Sequence, residues 1–271
     1  MADETPWLAL VIGNSRLHWG AFRGHRWCGG WHTPHLTTAQ GQSLMNQGFT
    51  PQAWASLGAT MPDLDGPTLP MVANFPELWM ASVVQTQGDL WRTYGRSHGV
   101  STDQVPLGQR YLTLGVDRAL ALVGAGETYG WPVLVVDGGT ALTLTAGADG
   151  RLVGGAIWPG LRSQFRALHD YTDGLPLLPY DLAALPPRWA TTTAEAMASG
   201  ILYGQLAALR EFITDWRQRY GKGTVVLTGG DGPGLAAALL SQTPAWETVL
   251  RVDPHLMFWG LRVCRQGQGQ P

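Results

Sequence analysis

The strongest constraint in this sequence is one pattern that occurs twice. An apolar run from Trp7 to Ile12 stops at Gly13-Asn14-Ser15, and apolar residues resume around Leu17, Trp19 and Phe22. A second run from Pro132 to Val136 stops at Asp137-Gly138-Gly139-Thr140, after which Leu142 and Leu144 alternate with Thr143 and Thr145. Each reads as strand, tight turn, strand, because a period of two places alternate side chains on one sheet face and glycine permits the turn. A shift of 126 residues lays Gly13 on Gly139, Asn14 on Thr140 and Val11 on Asp137. That interval is too long for a solenoid, so the duplication predicts two similar α/β halves facing each other across a cleft. The halves are expected to meet near residues 105 to 116, with one lobe over 1–115 and the other over 116–271.

Between and after the hairpins the period changes to that of helices. Asp117 to Thr128 reads as a helix, with an acidic residue at the positive end of its dipole and Ala and Leu filling it. Thr193 to Tyr220 reads as a longer one, since Leu202, Leu206, Leu209, Ile213 and Trp216 recur at steps of four and three. Leu175 to Pro187, rich in Pro and Leu, reads as an irregular connection. Thr224 to Leu227 is a short buried strand, followed by the turn Thr228-Gly229-Gly230-Asp231-Gly232 and a helix through Leu240. Residues 30–75 give no clear signal, and the tail from Gln266 to Pro271 is expected to fray.

Composition removes several function classes. Hydrophobic residues make up 45% of the chain and charged residues 14%, which a packed globular protein needs and a disordered one lacks. Eighteen Lys plus Arg against 20 Asp plus Glu leave a net charge of −2, with no footprint for nucleic acid or an anionic membrane. Cys28 and Cys264 are too few for a disulfide framework and lack zinc-ligand spacing, which fits a reducing cytosol. The start Met1-Ala2-Asp3-Glu4 lacks the basic region of a secretory signal, and the run Trp7 to Ile12 is too short to span a bilayer. A soluble, cytoplasmic protein is the expectation.

The chain has no GxxxxGK[ST] loop and no GxGxxG after a strand. A hairpin tip with glycine and a small hydroxyl residue is another phosphate cradle, because backbone N–H groups approach an anion closely where no Cβ intervenes. Gly13-Asn14-Ser15 and Gly138-Gly139-Thr140 are two such tips, and Thr228-Gly229-Gly230 is a third Gly-rich turn after a strand. Either tip alone is equally an ordinary hairpin turn. Asp137 ends a buried strand, where a carboxylate either caps its own turn or meets a cation. In Gly115-Val116-Asp117-Arg118, Asp117 is placed to take a proton from an alcohol and Arg118 to fork onto a carboxylate; a helix N-cap with a surface arginine is the other reading. His25, His32 and His35 cluster without Asp or Glu at ligand spacing and read as solvated loop histidines.

Taken in order, Gly13-Asn14-Ser15, Leu114-Gly115-Val116-Asp117-Arg118, Asp137-Gly138-Gly139-Thr140-Ala141, Gly154-Gly155-Ala156-Ile157-Trp158-Pro159-Gly160-Leu161, Thr193-Ala194-Glu195-Ala196 with Ser199-Gly200, and Thr228-Gly229-Gly230-Asp231 resemble the type III pantothenate kinases over almost the whole chain. The resemblance implies the duplicated ribonuclease-H-like fold of actin, Hsp70 and sugar kinases. It implies transfer of the ATP γ-phosphoryl group to the 4′-hydroxyl of pantothenate, the first step towards coenzyme A. By motif position it implies Asp117 as general base, and Gly115, Val116, Arg118, Thr193 and the upstream Tyr111 as pantothenate contacts. Gly13, Asn14, Ser15, Arg16 and Thr140 are implied to bind ATP with Mg2+. Asp137 matches a position that binds a monovalent cation, K+ or NH4+, and a homodimer is implied. One departure stands out: the family's first hairpin carries an aspartate where this chain has Val11. That departure motivates an alternative, a non-catalytic ligand-binding or regulatory relative; a sugar or acetate kinase of the same superfold is disfavoured by the motif set.

Overall fold

In the computed structural model the described residues are 5–58 and 75–268. Part of the stretch without sequence signal, residues 59–74, and the ends of the chain lie outside them. The described residues form two compact units, one of those within 5–58, 75–106, 111–124 and 257–268, the other of residues 107–110 and 125–256. Each contains a five-stranded sheet.

The first unit begins with a three-stranded meander, β1 (Pro6–Ile12), β2 (Leu17–Arg23) and β3 (Arg26–Thr33). Helices α1 (Thr38–Asn46) and α2 (Pro51–Ser56) follow, then β4 (Glu77–Ser82), α3 (Gln85–Arg92), β5 (Ser97–Gly99) and α4 (Val116–Tyr129). The sheet order is β3-β2-β1-β4-β5, with β1 antiparallel to β2 and parallel to β4. The second unit repeats the plan with β6 (Val133–Gly138), β7 (Ala141–Ala148), β8 (Arg151–Pro159), α5 (Leu161–Asp170), α6 (Thr193–Tyr220), β9 (Thr224–Thr228), α7 (Gly232–Gln242) and β10 (Leu250–Val252). Its order, β8-β7-β6-β9-β10, matches the first strand for strand, again with an antiparallel neighbour on one side of the central strand and a parallel one on the other. Even the bulges correspond, at Ala21/Phe22 and at Ala146/Gly147. The duplication read from the sequence is therefore a duplication of topology, and each hairpin extends to a third strand that the sequence pattern did not announce.

The cores follow from the alternation. In the first unit Leu8, Leu10, Ile12, Leu17, Trp19 and Trp31 share one face and pack on Leu44, Trp54 and Trp91 from the helices and on Phe49 from the turn between α1 and α2. In the second, Leu134, Val136, Leu142 and Leu144 meet the spaced apolar stripe of α6, in which Leu202, Leu206, Leu209, Ile213 and Trp216 are all buried. The hydroxyl of Thr192 caps α6 by accepting from Glu195 N, and Gly221, at φ 53°, ends it in a backbone conformation that costs glycine little. Residues 171–192 carry neither helix nor strand, in keeping with the Pro-rich composition of that segment.

The single cut expected between residues 115 and 116 is not how the compact units divide. The start of α4 belongs to the first unit, and α8 (Leu256–Gln268) returns to it from the far end of the chain. The cause is packing that no local pattern encodes. Trp27 stacks obliquely on Phe258 at 5.3 Å and meets Trp259 edge-on at 5.2 Å. The Arg265 guanidinium lies 5.2 Å over Trp7 and pairs with Glu77 at 3.4 Å. At Gly260 the α8 backbone lies so close to Leu120 of α4 that a Cβ would occupy the place of the Leu120 carbonyl. Gly260→Ala is expected to cost roughly 1–3 kcal/mol by overpacking. Chemical denaturation should show a lowered midpoint with unchanged slope.

Candidate active site

Each unit presents a turn at the end of its central strand. In the first, the paired Ile12 and Leu17 enclose four residues, Gly13 to Arg16. Gly13 N donates to Arg16 O at 3.0 Å, and the ring of His35 bonds the Gly13 carbonyl through Nε2 at 2.8 Å. The turn is thus held from both sides while Asn14, Ser15 and Arg16 stay exposed. In the second unit Gly138 and Leu142 enclose only three residues, so the two tips differ by one residue and are not of one design.

The second tip is built by close backbone approach. The Thr140 carbonyl accepts from Gly160 N at 3.0 Å and from Ser163 Oγ at 2.7 Å. A Cβ on Gly160 would fall on the Gly139 carbonyl, which gives the Pro159-Gly160-Leu161 end of β8 a steric reason for its glycine. The turn after β9 closes on the same place. Gly229, at φ 78°, sits where a Cβ would collide with Asp137 Oδ1, and Asp231 N donates to Gly138 O at 3.0 Å. Tyr180 Oη donates to Asp231 Oδ1 at 2.8 Å. Burial and this bond push the Tyr180 phenol up to about 12, and burial raises the Asp231 carboxyl above its ordinary range against the opposing effect of the Tyr180 bond. Asp137, Thr140 and the 228–231 turn therefore form one constellation. Thr193, the exposed first residue of α6, is not among the groups these turns gather.

A second constellation lies at the start of α4 in the first unit. Gly115 O accepts from Ala119 N at 3.1 Å, and Asp117 Oδ1 accepts from the Arg118 N–H at 2.8 Å. Gly115, two residues earlier, leaves room for the carboxylate in this position, since a Cβ there would stand 2.5 Å from Asp117 Oδ1. Arg118 is only 8% exposed, and its Nη1 donates to Tyr111 Oη at 2.7 Å. The segment is anchored by Thr102 Oγ1, which donates to the Leu114 carbonyl at 3.0 Å. Beside it is a pocket of about 480 Å³ whose wall includes Gly115 and Val116, with Ser82, Ser101, Thr102 and Arg92 as its polar side chains. The structure thus brings Tyr111, Gly115, Val116, Asp117 and Arg118 together. Arg92 was not singled out by sequence reasoning, since a lone arginine on a helix gives no signal until the helix is placed.

The histidines need a correction. His32 lies on β3 rather than in a loop, and its direct cross-strand partner is His18 of β2. The rings meet edge-on at 4.7 Å between centroids. Burial above all, and then the neighbouring His32 and Arg16, hold the His18 imidazole down to about 4. Since the folded value lies below the unfolded one, the unfolded chain binds this proton first as pH falls, and stability is lost from about pH 6.5 down to about pH 4. His18→Gln is expected to flatten that part of the stability profile, measured by urea denaturation at a series of pH values. Among the described residues, no three His, Cys, Asp or Glu gather as a metal cluster.

A family model described as type III pantothenate kinase matches residues 7–215. A type III pantothenate kinase from Nostoc sp. is 42% identical, with 97% of this chain and 96% of the relative covered. One from Synechococcus sp. is 41% identical over 98% of this chain and 94% of its own length. Among solved structures, a Baf family transcriptional activator from Campylobacter jejuni superposes with a TM-score of 0.59 at 16% identity, covering 96% of this chain and 98% of its own. A 2-dehydro-3-deoxygalactonokinase from Sinorhizobium meliloti superposes at 0.53 with 13% identity, covering 98% and 97%. At such identities these structures speak to the fold alone, which is the duplicated α/β fold of the actin, Hsp70 and sugar kinase class.

Proposed function

The chain belongs to the type III pantothenate kinase family, and from that premise we propose that Asp117 is the general base of its phosphoryl transfer. The reaction of the family is ATP-dependent phosphorylation of pantothenate to 4′-phosphopantothenate, the first step of coenzyme A biosynthesis, and this chain carries out that reaction.

The observation that carries the assignment is the geometry at the start of α4. A half-buried carboxylate accepts the backbone N–H of a buried arginine, and Gly115 and Val116, just before it in the chain, line a pocket with hydroxyl-bearing walls. A carboxylate so held accepts the proton of an alcohol as its oxygen attacks the γ-phosphorus and ADP departs. Arg118, oriented by Tyr111, offers a fork of N–H donors to the pantothenate carboxylate. Gly115 and Val116 form the wall against which the chain of the substrate lies, and Thr193 adds a hydroxyl contact. Retention of this constellation disfavours a non-catalytic relative.

ATP, with Mg2+ as part of the substrate, is assigned to the two tips, with Gly13, Asn14, Ser15 and Arg16 on one and Thr140 on the other. The exposed Arg16 supplies positive charge towards the phosphates. Asp137, at the end of the central strand and packed against Gly229, offers an anionic oxygen for a monovalent cation, K+ or NH4+, whose chemistry there is to offset phosphate charge. Val153 and Ile157, exposed apolar residues on the edge strand β8, support a homodimer. Cys28 and Cys264 are buried free thiols, which supports a reducing, cytoplasmic site of action. Among the described residues no helix is long and apolar enough to cross a membrane.

Asp117→Asn is expected to lower kcat for pantothenate phosphorylation by about 10²–10⁴ with little change in KM, as loss of a general base does. Unchanged turnover would remove Asp117 from the chemistry. Ile157→Glu should lower the mass in solution from dimer to monomer by light scattering; a wild-type chain that is monomeric at micromolar concentration would refute the assembly.

A further inference from the structure

The duplication allows the two tips to be compared within one molecule, and they are chemically unlike. In the second unit the central strand ends in a carboxylate, Asp137, whose cross-strand partner is Thr143, and Thr143 in turn pairs with Ile157. In the first unit the corresponding row across β1, β2 and β3 is Val11, His18, His32. Directly opposite residues share one face of a sheet, so the tip end of this face carries two imidazoles where the other unit carries a carboxylate and a hydroxyl. Along this row exposure rises outward from the central strand, from the buried Val11 through the part-buried His18 to the exposed His32.

His18 is also the residue that abuts the tip. Its Nε2 stands 3.5 Å from where a Cβ on Gly13 would be, so its ring lies against the turn that carries Asn14, Ser15 and Arg16. His32 is exposed on the outer strand. Two imidazoles on one ion, with metal–nitrogen bonds of about 2.0–2.1 Å, require nitrogens roughly 3–3.5 Å apart. Rings with centroids 4.7 Å apart on directly paired residues reach that separation by rotation about their own side-chain bonds.

From this geometry we infer that His18 and His32 form a two-imidazole site for a divalent transition ion at the base of the Gly13–Arg16 tip, with its remaining positions filled by water or by phosphate oxygens. Imidazole selects Co2+, Ni2+ and Zn2+ over Mg2+, which takes oxygen ligands and sheds its water reluctantly. With only two protein ligands the site is weak by itself and strengthens when a nucleotide lends its phosphates. The site rests on strand geometry; its coupling to nucleotide rests on the assignment of the first tip to ATP.

The test is a titration of the full-length protein with Co2+, followed by its visible absorption, for the wild type, His18→Ala, His32→Ala and the double variant. The expected result is one site in the wild type, weakened at least tenfold in each single variant, not displaced by equimolar Mg2+, and tightened by ADP. His32→Ala alone decides the matter if His18→Ala proves unstable, because His32 is exposed. Equal binding by the wild type and the double variant, or displacement by equimolar Mg2+, overturns the inference. Pantothenate phosphorylation with Mg2+ and ATP is measured in parallel. Normal turnover without His-dependent Co2+ binding sinks the metal site alone, whereas Co2+ binding without turnover sinks the kinase assignment alone.

Discussion

Both halves of this chain depend on a central strand hydrogen-bonded along both edges, to an antiparallel neighbour on one side and a parallel neighbour on the other. Along β1 and β6 the ladder uses the backbone groups, so N–H groups left for a ligand occur where the strand stops. The antiparallel neighbour demands a tight turn at that point, and the parallel neighbour demands a crossover that returns a second strand in the same direction. Thus β4 ends beside β1, where Ile12 pairs with Ser82, and β9 ends beside β6, where Asp137 pairs with Thr228. Each unit gathers two strand ends and their turns at one edge, the place where open α/β sheets bind ligands.

Glycine is what lets those turns close. At Gly160 and Gly229 an added Cβ would take the place of the Gly139 carbonyl or of Asp137 Oδ1, and at Gly115 it would stand against Asp117 Oδ1. The first two hold backbone against backbone around the second tip. The third gives the Asp117 carboxylate room to accept the Arg118 N–H. Steric room at a few α-carbons therefore links the sheet architecture to the placement of these side chains.

What could be read from the sequence divides along the same line between local and distant constraints. The first two strands of each unit, the 28 residues of α6 and the start of α4 follow local periodicity, and they stand where that periodicity places them. The third strands do not. Arg26–Thr33 contains Gly29-Gly30 and pairs across a bulge, so its alternation is broken, and β5 has only three residues. The return of α8 to the first unit rests on contacts between Trp27 and Phe258 that lie far apart in sequence. In the candidate site, Gly115 to Arg118 was legible because glycine, acid and base stand side by side. Tyr180 and Asp231, 51 residues apart, and the pair His18 and His32 become neighbours only through strand register and loop packing, which a single sequence does not display.

The same register shows how a duplicated scaffold divides its chemical work. Phosphoryl transfer needs one group that deprotonates the acceptor and a set of charges that neutralise the phosphates, and these demands conflict if carboxylates crowd the phosphates without cations. The second unit keeps its acids at the turns, Asp137 beside Gly229 and Asp231 bonded to Tyr180. In the first unit the acid stands away from the tip, at the head of α4, and the tip carries Arg16, His18, His32 and His35 instead. With Val11 in the central strand, no carboxylate stands in the row across β1, β2 and β3 at the tip, and the only ionisable side chains there are imidazoles. An acid at position 11 would place an ionised group in a site where Val11 is 2% exposed, so its charge would have to be met by a cation or by a protonated His18. Val11 and the tip meet through one side chain, since His18, which faces Val11 across the ladder, is the one that lies against Gly13.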